Sequence, residues 1–269
     1  PEDLFTQGAA SLGPVLDAVA TQPYQFNHVL GEALQYSLLY RQPQQHTLSL
    51  HRLVQVVLKA TLDEETSRLW TSRAVAIIAA SISLLQEKHT QELDDRYLPH
   101  AHAILQHTQQ WSDWEEQAML TPIWYYIGLV AERYSQLTEA KNAFLQGLTI
   151  AHHTHSHLEA AFLVHAGLMI SDLGDDQAAL QYLEQGAKLA KQVHDEGTLC
   201  FALLNLGQIQ DNLGNYQQAE TLYQEGLAIS LHTHDWAMAS TLLQDLGVQA
   251  VRRGDYEQTA AFYHQGLTY

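Results

Sequence analysis

Four histidines crowd into six residues, His152, His153, His155 and His157, and imidazoles at that density suit a divalent metal. Their spacing points elsewhere. His155, His194 and His234 each stand eight residues after a glycine (Gly147, Gly186 or Gly226), and each is followed by Ser156, Asp195 or Asp235. A His-Ser/Asp step held in register reads as part of a repeat, suited to capping the next helix, with metal as the competing reading. Cys200 is the single cysteine; no His or Lys flanks it to lower its pKa, so it reads as a small packing residue. His28, His46 and Glu32 make no recognisable nucleophile or acid–base set, and no catalytic residue is assigned. No G-x-x-x-x-G-K-[ST] run is present to cradle phosphates. The chain therefore reads as a binding protein and not an enzyme, with no metal or cofactor of its own.

What positions these residues is a repeat. Gly128, Gly167, Gly207 and Gly247 are separated by 39, 40 and 40 residues. Twelve residues after each comes Ala140, Ala179, Ala219 or Thr259, and nineteen after each comes Gly147, Gly186, Gly226 or Gly266. A period of about 20–50 residues marks stacked units, and such solenoids present extended binding surfaces. Apolar residues recur at helical spacing within each copy, predicting helices near 121–136, 139–152, 158–173, 176–192, 198–213, 216–231, 236–253 and 256–269. Gly174, Gly214 and Gly254, with Ser135 in the first copy, stand where a left-handed residue ends the first helix of each pair. Gly207 and Ala219 let paired helices approach, and Gly226 lets the next pair stack.

The run LNLGQIQDNLGNYQQAETLYQEGLAI (204–229) resembles the tetratricopeptide repeat in its longer, 40-residue form. That resemblance implies an all-α, right-handed superhelical α-α solenoid, with repeats over about 121–157, 158–196, 197–235 and 236–269. In this repeat type the first helix of each pair lines the concave side. The family's geometry would place there Tyr125, Tyr126, Glu132 and Arg133, then His165 and Asp172, then Asn205, Gln208, Asp211 and Asn212, and finally Gln244, Asp245 and Arg252. Such aromatic and amide side chains could hydrogen-bond a peptide backbone or a sugar; a solvated surface with no specific ligand is the competing reading.

Bulk composition narrows the partners. The 269 residues carry a net charge of −17, with 16% charged residues, below the typical share of about 25%. An acidic chain is disfavoured on nucleic acid and on anionic membrane, and no apolar run reaches the roughly 18–20 residues of a membrane span. One cysteine fits a reducing compartment, and the chain is expected to be cytoplasmic. It starts at Pro1 and ends inside a repeat, so a fragment of a longer protein is expected.

Residues 1–62 lack the repeat. Apolar positions in 12–19 and 26–36 fit short helices, 36–41 and 47–51 read as strands around Gln42-Pro43-Gln44-Gln45, and a helix follows from Arg52 to about Leu62. This order suggests a small winged-helix-like domain. Its acidic Glu2, Asp3, Asp17 and Glu32 outnumber Arg41, Arg52 and Lys59, unlike the basic face of a DNA reader. Residues 63–120 read as a helical linker: Asp63-Glu64-Glu65 opens a long helix, acidic at its positive end, and Tyr97-Leu98-Pro99 begins another towards Trp111.

YSLLYRQPQQHTLSLHRLVQVVL (36–58), LWTSRAV (69–75) and YLPHAHAIL (97–105) look like the segment after the nucleotide-binding core in STAND-class (NB-ARC) signalling NTPases with tetratricopeptide sensors. LSLHRLVQ is similar to the Met-His-Asp motif of plant immune receptors of this class. The resemblance implies that His51 matches the histidine touching the β-phosphate of ADP and Leu50 the methionine, while Arg52 replaces the aspartate. It implies a sensor that binds a protein, peptide or small inducer on its repeats and relays it to an upstream nucleotide-binding domain, with ADP or ATP held there. The alternative is an autonomous adaptor that docks partner peptides with no nucleotide link.

Overall fold

A computed structural model describes residues 1–85 and 90–269, and the chain divides into two compact units, Pro1–Ile127 and Gly128–Tyr269. The long-helix and linker expectations across residues 86–89 lie outside the described residues.

The first unit opens with α1 (Asp3–Gln7), a 3-10 turn (Ala9–Leu12), α2 (Pro14–Ala20) and α3 (Pro23–Gln35). Pro14 and Pro23 stand in the first turns of α2 and α3, where a missing N–H costs nothing. An antiparallel hairpin follows, β1 (Leu39–Gln42) and β2 (Thr47–Leu50), pairing Leu39 with Leu50 and Gln42 with Thr47. The first strand starts three residues later than its apolar run suggests, because Tyr36 is the C-cap of α3 and Ser37 takes a left-handed φ of 55°. Next come α4 (Arg52–Thr61), α5 (Glu64–Leu85), α6 (Gln91–His107), α7 (Trp114–Ala118) and the start of α8 (Thr121–Arg133). Helix α6 begins six residues before Tyr97, since Thr90 caps it by accepting from the Leu93 N–H. Asp63 accepts from the Thr66 N–H at 2.7 Å at the head of α5. The core of this unit seats Ala9, Leu12 and Ala20 against Ile77 of α5.

Helix α4 is an exception to this packing. None of its residues is buried, and Leu53, Val56, Val57 and Leu58 are 65%, 57%, 52% and 46% exposed. An amphipathic helix normally turns its apolar stripe to a core; this one turns it outward.

The second unit continues α8 through α9 (Leu137–Thr154), α10 (Glu159–Asp172), α11 (Asp176–Val193), α12 (Glu196–Asn212), α13 (Tyr216–His232), α14 (Trp236–Arg253) and α15 (Tyr256–Gly266). These agree with the expected helices to within three residues at each end. Successive helices pack against one another, and the first helices of neighbouring pairs also meet, α10 with α12 and α12 with α14. The unit is an all-α solenoid.

One device makes every reversal. Within pairs, Ser135, Gly174, Gly214 and Gly254 adopt φ of 58°, 93°, 81° and 75°. Between pairs, His155, His194 and His234 adopt 52°, 59° and 59°. In all seven turns the next N–H returns to a carbonyl five residues back, as in Gln136 to Ala131, Asn215 to Gln210 and Asp195 to Ala190, at 2.8, 2.8 and 2.9 Å. This is the Schellman closure, which satisfies carbonyls the helix end leaves open. The recurring histidine thus ends the preceding helix, in a region where His is enriched among non-glycine residues. Capping of the next helix falls to its neighbour: Asp195 accepts from the Thr198 N–H and Asp235 from the Met238 N–H, each at 3.0 Å.

The small residues stand at helix contacts. A Cβ on Gly207 would lie 2.4 Å from Cε1 of Tyr223 in the paired helix, and one on Gly226 3.3 Å from Cδ1 of Leu242 in the next pair. Each first-helix glycine receives the residue sixteen positions on: Phe144, Leu183, Tyr223 and Tyr263 sit over Gly128, Gly167, Gly207 and Gly247.

Candidate functional site

The residues expected to line the first helices fall into columns of the repeat. Five positions after the reference glycine come Arg133, Asp172, Asn212 and Arg252, and all four are exposed. Two positions before it come Tyr126, His165, Asn205 and Asp245, and this column turns inward. Tyr126 is 2% exposed, with its hydroxyl 3.4 Å from Oδ1 of Asp94. Asn205 is 4% exposed and donates its amide to the Phe201 carbonyl at 2.7 Å, on its own helix. These two are a correction to the expected face, because helical phase puts them in the core. Tyr125 is half-buried and Gln244 exposed.

The remaining members join one repeat to the next. His165 Nδ1 is 3.0 Å from Oε2 of Glu132, while its ring lies between Phe144 and Phe201, with centroids at 5.0 and 5.1 Å. Gln208 Nε2 donates to Asp245 Oδ2 at 3.4 Å. Arg252 donates to Asp211 and sits 5.0 Å over the Tyr216 ring. So the face carries polar groups largely committed to each other, from α8 through α10 and from α12 through α14.

Electrostatics follow from this crowding. Asp172 is exposed as a residue, but partial desolvation of its carboxyl lifts it above its ordinary value, and the charge of Glu132 adds to the rise. Burial likewise raises Asp245; the Gln208 hydrogen bond opposes the rise and Asp211 adds to it. A carboxyl whose folded pKa is raised binds its proton more tightly folded than unfolded, so ionising it at neutral pH weakens the fold. Asp245→Asn, which keeps an acceptor for Gln208, is expected to raise the thermal midpoint at neutral pH. Its advantage should shrink as the pH approaches about 4, where the unfolded wild type also holds the proton. Paired melts across that range check it, and a lower midpoint for the variant at neutral pH would reverse the sign.

Elsewhere, His152 Nδ1 lies 2.7 Å from Oε1 of Glu159 and His232 Nδ1 3.3 Å from Oε2 of Glu196. Among the described residues no three His, Cys, Asp or Glu side chains gather as a metal-binding group. Cys200 is buried, its thiol donating to the Gly226 carbonyl at 3.2 Å and pushed up to about 11 by burial, then by the Asp235 charge. In the first unit His51 is the exposed N-cap of α4, its Nδ1 accepting from the Leu53 N–H at 3.2 Å. Sequence reasoning passed over Tyr216 and Gln249. Gln249 could have been noticed, because the other copies hold Val130, Met169 and Ile209 at its position.

Comparison with known proteins accords with this architecture. Residues 158–232 match the tetratricopeptide repeat family, and residues 1–67 match a domain of unknown function, DUF7779. No curated protein matches the chain. Among solved structures it is similar to BtubC (BKLC) from P. vanneervenii, with TM-score 0.60 and 17% identity over 81% of this chain and 91% of that one. It is similar also to aspartyl phosphate phosphatase F from Bacillus subtilis, with TM-score 0.61 and 12% identity over 94% and 62% of the two chains. A Rap protein complexed with competence and sporulation factor gives TM-score 0.55 and 16% identity over 80% and 56%. The match thus spans under two thirds of the length of the latter two proteins. At these identities the likeness is one of fold. Among the described residues no helix is long and apolar enough to cross a membrane. The chain carries tetratricopeptide repeats, and its fold is the α-α solenoid of that repeat.

Proposed function

We propose that this chain is the sensing portion of a cytoplasmic STAND-type regulator. A protein, peptide or small inducer docks on the first helices of the repeats, and the first unit relays docking to a nucleotide-binding domain in the same protein. In this reading α1–α3, the hairpin and α4 serve as a winged-helix-like domain, and the chain performs no catalysis itself.

The observation that carries the link to a second domain is the outward apolar stripe of α4. Leu53, Val56, Val57 and Leu58 are exposed within six residues of one helix, and Leu62, Leu69 and Trp70 just after it are 38%, 49% and 38% exposed. Apolar side chains exposed at that density mark an interaction site. His51 stands at the head of the same helix. An adaptor working alone gives no reason for that stripe.

Division of labour is testable on the chain itself. Calorimetric titration with ADP and with ATP is expected to give no binding at micromolar concentrations, because the phosphate-cradling loop belongs to the partner domain. Micromolar affinity for either nucleotide would overturn the division.

A further inference from the structure

A cavity of about 430 Å³ opens between the start of α13 and the end of α14, lined by Tyr216, Gln217, Glu220, Gln249, Arg252 and Arg253. Gln249 is 2% exposed, and its Nε2 is buried with no hydrogen-bond partner. Buried donors are almost always satisfied, and one that is not asks for an acceptor. The other copies avoid the problem, placing the apolar Val130, Met169 and Ile209 at this position, at 1%, 1% and 3% exposure. A polar side chain has therefore replaced a core residue at the wall of a cavity.

The rest of the lining also supplies donors. Helix α13 starts without a side-chain cap: Asn215 turns its amide to Gln210 at 2.8 Å, whereas Asp175 and Asp255 cap α11 and α15. Arg253 donates to Glu220 and to Gln258, and Arg252 to Asp211. A guanidinium has five N–H groups, so both retain capacity. Glu220 and Asp211 already balance the two guanidinium charges, so what the lining offers is spare N–H donors and not net positive charge. A planar anion matches the guanidinium fork, and the nearby Asp211 and Glu220 disfavour a dianion.

We propose that this cavity binds a carboxylate, with Gln249 Nε2 and Arg253 as its principal donors and the first turn of α13 beside them. The site shares Arg252 with the docking face but stands or falls without it, since it is tested on this chain with no partner present.

Two small probes separate the sources of a carboxylate: N-acetylglutamate α-amide for an acidic side chain, and N-acetylglycine for a peptide C-terminus. Amide NMR shifts at Tyr216, Gln217 and the Gln249 side chain should move saturably with at least one, and the tighter probe identifies the source. N-acetylglutamine α-amide, N-acetylglycinamide and inorganic phosphate should bind weakly or not at all. Gln249→Met restores the residue type of the other copies, so it should fold and melt at or above wild type. It should weaken the probe about tenfold or more, the loss of one hydrogen bond to a charged group. Arg253→Gln should weaken it in the same direction. No saturable shift with either acid, equal binding by the neutral amides or by phosphate, or full affinity in Gln249→Met would each overturn the site.

Discussion

Gly207→Leu is expected to lower the unfolding midpoint of this chain steeply. Its Cβ alone would stand 2.4 Å from Cε1 of Tyr223 and 2.7 Å from Cδ1. That ring cannot swing aside: Tyr223 is 1% exposed and packed with Cys200, Leu204, Ala219, Leu242 and Leu246. Overpacking a core costs about 1–3 kcal/mol, occasionally more, and here an isobutyl group must enter a contact already closed to a methyl. A cost of about 3 kcal/mol or above is expected. Urea or thermal unfolding with far-UV circular dichroism measures it. Gly31→Ala supplies the contrast, since Gly31 lies in α3 with nothing within 4 Å of the added methyl. It should gain up to about 1 kcal/mol from helix propensity. Equal midpoints for Gly207→Leu and wild type would mean that α12 and α13 do not meet at this glycine.

The second large effect belongs to the full-length protein and rests on the proposed nucleotide switch. His51→Ala there is expected to speed ADP release by roughly 10- to 100-fold, the weight of one charge-assisted hydrogen bond of about 1.5–3 kcal/mol. The tautomer favours this role. Nδ1 accepts from the Leu53 N–H, so the ring proton sits on Nε2, a donor for a phosphate oxygen. Because His51 caps α4, its removal also costs helix stability, of order 0.5–2 kcal/mol for a lost cap. His51→Ser separates the two losses: it keeps an N-cap acceptor and lacks the imidazole. Stopped-flow release of labelled ADP should be fast in both variants, while α4 is preserved only in His51→Ser. Release at the wild-type rate in both would leave His51 a helix cap and nothing more.

The repeat was legible because its signals are local and periodic. Gly174, Gly214 and Gly254 announce left-handed turns, and Gly207 with Ala219 announces a close crossing, whatever lies elsewhere in the chain. Ser135 was legible only through register, since Ser by itself does not ask for a positive φ. The inward turn of Tyr126 and Asn205 was not legible: a tyrosine and an asparagine two residues before the glycine look like surface residues until helical phase is fixed by what packs on them. Nor was the start of α6, where Pro99 lies well inside a helix that Thr90 begins. Sequence could identify the candidate face as polar. It could not reveal that Glu132 is spent on His165, Gln208 on Asp245 and Asp211 on Arg252, because partners 33 to 41 residues apart leave no mark at short range.

Those cross-repeat ties have a mechanical meaning. They fasten first helix to first helix, so they act like staples along one margin of a stack whose plates also touch through apolar side chains. Apolar packing is short-ranged and nearly indifferent to electrolyte, while an exposed ion pair such as Arg252–Asp211 is worth no more than about 1 kcal/mol and weakens with salt. Bending stiffness about that margin is therefore softened by ionic strength, without loss of helix. A guest that competes for Glu132, Asp211 or Arg252 removes a staple as it binds, and the stack flexes as a spring with one coil released.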